Sequence, residues 1–192
     1  MRLKKAFVSG LFAMILAGLI VAGDGLAEWG NPPFPSYGSG PVEVRIYSDY
    51  FCSPCRATEP AMEPILKDLL KKNAIRLTLV DAPFHPLTSL YARYFLYAIK
   101  ENNDVDHAVR VRNILFEASN KSITTKEQIE AIFKEKWIPY AVFDTKSAFD
   151  GYSVLLKKDK INRTPTCVII KGREKKAFVG GPDIINALKA LP

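Results

Sequence analysis

Only three cysteines stand in this 192-residue sequence: Cys52, Cys55 and Cys167. That is too few to staple a small disulfide scaffold, and a chain of this length can build a core without staples. No tract recurs at a fixed period, which excludes a solenoid. Basic residues outnumber acidic ones, 27 to 20, yet they do not gather; Lys71–Lys72 and Lys157–Lys158 are isolated pairs without interleaved aromatics. With no basic stripe and no nucleic-acid motif, the surface reads as simply solvated, and no nucleic-acid partner is expected. Nor is the chain poor in apolar residues, at 48% against 24% charged, so it is not disordered. What remains is one globular domain, or one domain carrying a sizeable insertion.

One long apolar run is present, at the start. Arg2, Lys4 and Lys5 precede 18 residues from Ala6 to Gly23, and Gly25 and Ala27 fit a small-residue cleavage site before Glu28. Residues 1–27 therefore read as a signal peptide. A retained anchor is the alternative, weakened by Ser9 and three glycines inside the run. Cleavage would leave 24 basic and 19 acidic side chains, a net charge of +5. Residues 28–41, rich in proline, glycine and serine, read as an extended linker. The rest, 42–192, is the domain. Export matters for the cysteines, because disulfides survive outside the cytoplasm and a close pair there is structural or redox-active.

The domain reads as α/β. Val42–Tyr47 alternates apolar and polar side chains as a strand. Cys52 and Cys55 follow at once, and Met62, Ile65, Leu66, Leu69 and Leu70 then share one helix face. Ile75–Val80 is a second strand, so the cysteines sit where strand enters helix in a βαβ unit. From about 86 to 158 the chain reads as helical. It holds a stripe of Leu87, Leu90, Tyr91, Tyr94 and Phe95, a segment over 105–118, a helix opened by a Thr125/Gln128 capping box, and another over 141–156. These aromatic stripes read as core. Thr166–Lys171 and Lys176–Val179 flank a Gly172–Arg173 turn as a hairpin, and Gly180–Gly181–Pro182 opens a closing helix.

A C-x-x-C at a helix N-terminus has a specific use. Unpaired backbone N–H groups and the helix dipole favour an anion there, and the thiolate is the form that attacks disulfides. On this logic Cys52 is the nucleophile. Cys55, one turn further in, is the resolving thiol that closes the ring and expels a mixed-disulfide partner. The motif alone also fits half of a zinc site.

On these residues the sequence resembles the thioredoxin superfamily and, within it, the DsbA-like branch. The resemblance is carried by Ser48–Asp49–Tyr50–Phe51–Cys52–Ser53–Pro54–Cys55, Pro60, His85–Pro86, Thr164–Pro165–Thr166 and the final Gly–Gly–Pro helix, over about residues 42–191. It implies a thioredoxin fold, βαβ…ββα, with a helical block inserted at about 86–158. It further implies a cis Pro165 facing the cysteines, with Thr164 and Pro165 holding a substrate peptide in a strand-like pose. From the residues alone Pro165 equally fits a turn before an edge strand.

Three departures from that pattern stand out. Ser53–Pro54 in the active-site loop supplies no histidine to support the thiolate. Ile46 occupies the place, six residues before Cys52, where such proteins often carry a buried acid; Glu43 and Asp49 are substitutes only by proximity. Cys167 lies inside the strand after Pro165, where a free cysteine reads as a small buried hydrophobe. Asp49 reads as a loop cap, His85 as a loop residue, His107 as solvated and Pro60 as a bend in the cysteine-bearing helix.

The function these features imply is a periplasmic thiol–disulfide oxidoreductase working through Cys52 and Cys55, in the oxidising direction, with no metal or organic cofactor. Its partners would be exported cysteine-containing proteins and a membrane redox protein that recycles it, and it would act as a monomer. A thioredoxin-like reductase is the nearest alternative. From other classes come a metal-binding module using Cys52, Cys55, Cys167 and His85, and a peptide-binding chaperone with an inert disulfide.

Overall fold

A strand buried on both faces belongs in the middle of a sheet, and Val42–Ser48 is such a strand: every side chain but Glu43 is buried. The computed structural model describes residues 34–192. In chain order the elements are β1 (Ser36–Tyr37), β2 (Val42–Ser48), α1 (Ser53–Lys71), β3 (Ile75–Asp81), α2 (Thr88–Glu101), α3 (Val105–Asn120), α4 (Lys126–Glu135), α5 (Lys146–Lys158), β4 (Thr166–Lys171), β5 (Glu174–Val179) and α6 (Gly181–Lys189). The sheet order is β1-β3-β2-β4-β5. Strands β2 and β3 run parallel and the other pairs antiparallel, with Ile46 opposite Leu79 on one side and Cys167 on the other. Helices α1 and α6 pack together. This is the thioredoxin fold with four helices inserted between β3 and β4.

The apolar run Ala6–Gly23, the cleavage site before Glu28 and residues 28–33 lie outside the described residues. Within the rest of the stretch read as a linker, the chain is extended but docked. Ser36–Tyr37 pairs with β3, Tyr37 is buried, and Gly40 N–H donates to Ile75 C=O at 3.1 Å. Gly40 allows this approach because a Cβ there would lie 2.3 Å from the Ile75 nitrogen. Among the described residues no helix is long and apolar enough to cross a membrane.

The inserted block follows the sequence pattern closely, including the reciprocal Thr125–Gln128 cap of α4. The exception is α5, which begins at Lys146 rather than Ala141. Ala141 N–H is taken by the Tyr97 carbonyl of α2 at 3.1 Å, and the Asp144 carboxylate accepts from Lys146 N–H at 2.9 Å, opening the helix there. At its far end Asp159 is fastened to β2 by Arg45 (2.9 Å) and the Tyr47 hydroxyl, and to Lys175 of β5 (2.6 Å).

The core also holds a charge cluster. Arg112, 1% exposed, donates from Nε to Glu59 Oε1 at 2.8 Å and from Nη1 to Asp81 Oδ1 at 3.1 Å. Its guanidinium lies 5.5–5.7 Å from the ring centres of Tyr50, Phe95 and Phe116, a placement that suits a weakly hydrated planar cation. Burial pushes the Asp81 carboxyl up from 3.8 to about 6, against the pull of Arg112. The native state therefore binds this proton more tightly than the unfolded chain does. Its contribution to stability is full below about pH 4 and is lost as pH rises through 6. Urea titrations of wild type and Asp81→Asn between pH 4 and 7 should show the wild type losing ground to the variant as pH rises; a gain would contradict the assignment.

Candidate active site

Helix α1 begins at Ser53, which makes Cys52 its N-cap, in the extended backbone conformation (φ −83°, ψ 110°). An oxygen from Ser, Thr, Asp or Asn usually answers an unpaired N–H at this position. Here a sulfur does: Cys52 Sγ accepts from Cys55 N–H at 3.2 Å and donates to the Thr164 carbonyl at 3.4 Å. Pro54 fits the first turn because its missing N–H has no helical partner to lose. Cys52 is partly exposed, whereas Cys55 is 1% exposed. Burial, and then the bond to Cys52, push the Cys55 thiol far above its ordinary value. The two thiols, one helical turn apart, are thus unequal: the first is reachable and the second is kept protonated.

Two loops flank Cys52. On one side the Thr164–Pro165 peptide bond is cis, Pro165 is buried, and its carbonyl accepts from Gly180 N–H at 3.0 Å. On the other side the buried Asp49 carboxylate ties two segments into one wall. One oxygen accepts from Phe51 N–H (2.8 Å) and Thr88 Oγ1 (2.7 Å), the other from Phe84 N–H (3.1 Å) and His85 N–H (2.9 Å). The Phe51 ring stacks on His85 with centroids 4.2 Å apart, and Phe84 beside it is 51% exposed.

A family model described as Thioredoxin matches residues 37–179. The chain belongs to the thioredoxin family. Solved structures similar to this thioredoxin-family chain include a periplasmic thioredoxin-like protein from Salmonella enterica serovar Typhimurium, 20% identical over 83% of this chain and 90% of that one, TM-score 0.60. A thiol-disulfide exchange protein from Wolbachia pipientis is 18% identical over 83% and 85%, TM-score 0.56. BdbD from Bacillus subtilis, oxidised, is 22% identical over 82% and 91%, TM-score 0.56. These likenesses establish the shared fold. No curated protein matches the sequence.

Of the residues singled out in this thioredoxin-family sequence, the fold brings together Cys52, Ser53, Pro54, Cys55, Thr164 and Pro165. It does not bring the proposed metal ligands together: among the described residues no group of three or more His, Cys, Asp or Glu could hold a metal ion. Cys167 is fully buried opposite Ile46, and burial pushes its thiol up to about 12, as for an inert core residue. Glu43 is held by Arg45 and Arg76. Asp49 caps its loop but also braces a second one. His85 accepts from Leu87 N–H at 3.2 Å, a loop role. His107 is partly buried rather than solvated, its Nε2 without a partner among the described residues.

Three groups near α1 escaped the sequence reading. Glu59, Asp81 and Arg112 form the buried cluster, and the available signal was a charge at an inward helical position: Glu59 lies with Cys55, Met62 and Leu66 on the buried face of α1. The fourth feature is Gly181, where a Cβ would lie 2.4 Å from Thr58 Oγ1 on α1. Replacing Gly181 by alanine should therefore overpack the α1–α6 contact at a cost of about 1–3 kcal/mol. Thr58→Ala should relieve much of that loss in the double variant. Chemical denaturation of the four-protein cycle reads this directly, and strict additivity would refute it.

Proposed function

We propose that this thioredoxin-family chain is an exported thiol–disulfide oxidoreductase that oxidises cysteine-containing proteins of the periplasm. The observation that carries this reading is the asymmetry of the pair: a partly exposed Cys52 capping α1 beside the Thr164 carbonyl, with a buried Cys55 one turn behind it. In the oxidising cycle a client thiolate attacks Cys52 of the Cys52–Cys55 disulfide. A client–Cys52 disulfide forms and Cys55 leaves as a thiolate that takes up a proton. A second client thiolate then attacks the client sulfur, closing the client disulfide and releasing Cys52. The protein has gained the two electrons the client lost, and a membrane redox partner must remove them. Thr164 and Pro165 would hold the client strand; no metal or cofactor enters, and a monomer suffices.

A reductase reading has its own support. Ser53–Pro54 offers the thiolate no histidine, and Cys55, with its raised thiol, adds no stabilised anion to the reduced form. Equilibration in glutathione buffers of graded potential, with free thiols counted by alkylation and mass, separates the two. A two-electron transition near roughly −120 mV marks an oxidase and one near roughly −270 mV a reductase. A pair that never cycles would sink both.

A further inference from the structure

We infer that the clients of this site are acidic, with carboxylates flanking the reactive cysteine, because each of the two segments that meet at Cys52 carries an arginine that no acid answers. This inference rests on the exchange reading above and narrows it to a substrate class. Arg56 lies one helical turn below Cys52: its N–H donates to the Cys52 carbonyl at 3.1 Å, and residues four apart share a helix face. Its side chain is partly exposed. Arg163 is exposed and immediately precedes Thr164, whose carbonyl touches Cys52 Sγ. Neither arginine has an ion-pair partner among the described residues, so neither charge beside Cys52 is neutralised from within the domain.

The acids nearby are committed elsewhere. Asp49 is 2% exposed and accepts four hydrogen bonds, Glu59 is buried against Arg112, and Asp159 is held by Arg45 and Lys175. Asp183 lies in the first turn of α6, where that helix's own N–H groups favour its charge. The first turn of α1 carries no acidic side chain, so the positive end of its dipole also stands open at Cys52. The exposed Phe84, on the loop braced by Asp49, offers an apolar surface on the same wall as Phe51. A client with carboxylates on either side of its cysteine meets a favourable field on approach. A client with lysines there meets a repulsive one.

The test uses three peptide disulfides of one length, differing only in whether glutamate, glutamine or lysine flanks the cysteine. Reduced full-length protein reacts with each. Cys52 attacks the peptide disulfide and expels one peptide thiolate; Cys55 then expels the other, leaving the protein oxidised and the peptide reduced. At low salt the glutamate peptide should react about tenfold faster than the lysine peptide, and the ratio should shrink towards one at high salt. Arg56→Glu with Arg163→Glu should invert the ratio. Lys71→Glu with Lys72→Glu makes the same change in net charge at the other end of α1, roughly 27 Å away, and should leave the ratio in place. Equal rates for all three peptides, or a ratio that follows net charge in both double variants alike, would overturn the proposal while leaving the exchange chemistry standing. Failure of every peptide to react would overturn the exchange reading itself.

Discussion

Replacing Cys55 by serine is expected to stop exchange halfway and leave the protein covalently joined to its client through Cys52. The reason is the division of labour in the pair. Cys52 is the reachable sulfur, so it forms the mixed disulfide whether or not Cys55 is present. Only a thiol one turn behind it can break that bond from within the protein. With serine at 55, intact mass spectrometry after incubation with a disulfide-bonded client should show a stable one-to-one adduct that dithiothreitol dissolves. Cys52→Ser should form no adduct, and its exchange rate should fall to background. A short pulse of an alkylating reagent on the reduced wild type should label Cys52 first, then Cys55, and Cys167 only on unfolding. Both follow from the burial of Cys55 and Cys167 and the raised thiols that burial brings. Adduct formation by Cys52→Ser would reverse the assigned roles.

The second large effect lies beneath the site. Arg112→Met should cost about 3–5 kcal/mol, because Glu59 and Asp81 would be left as buried carboxyls without their cation. For a domain of this size that corresponds to a fall in Tm of roughly 10 °C. Replacing all three members with apolar side chains should be far milder than the single change, since no charge would then be stranded. Urea unfolding at neutral pH measures each variant. A loss below about 1 kcal/mol for Arg112→Met would mean that the cluster is solvated and that the packing of Arg112 against Tyr50, Phe95 and Phe116 contributes little.

The βαβ start, the hairpin, the closing helix and the two cysteines were legible in the sequence because each rests on a local signal: alternation, helical spacing, a glycine turn or a motif at a strand–helix junction. The start of α5 was not. The residues around Tyr140–Asp144 look helical in composition, but the bond from Ala141 to Tyr97 comes from a helix more than forty positions away. The docking of Ser36–Tyr37 on β3 is likewise a tertiary event, hidden behind proline and glycine that favour a free linker. Of the site, the cis Pro165 was readable only through the cysteine pair, since by itself the residue fits a turn before an edge strand equally well. The four-donor role of Asp49 and the Glu59–Arg112–Asp81 cluster depend on side chains converging from separate elements. The local hint to that cluster is a charge at an inward position of an amphipathic helix, Glu59 on α1 and Arg112 on α3.

The hydrogen bond from Cys52 to the Thr164 carbonyl exists only while that sulfur carries a proton. Once Cys52 is joined to another sulfur, there is nothing left to donate, and the carbonyl faces outward with an open lone pair at the moment a foreign backbone is tethered beside it. An amide of the captured chain is the natural taker. The carbonyl is thus uncovered both in the Cys52–Cys55 disulfide and in the mixed disulfide, and release of Cys52 as a thiol covers it again.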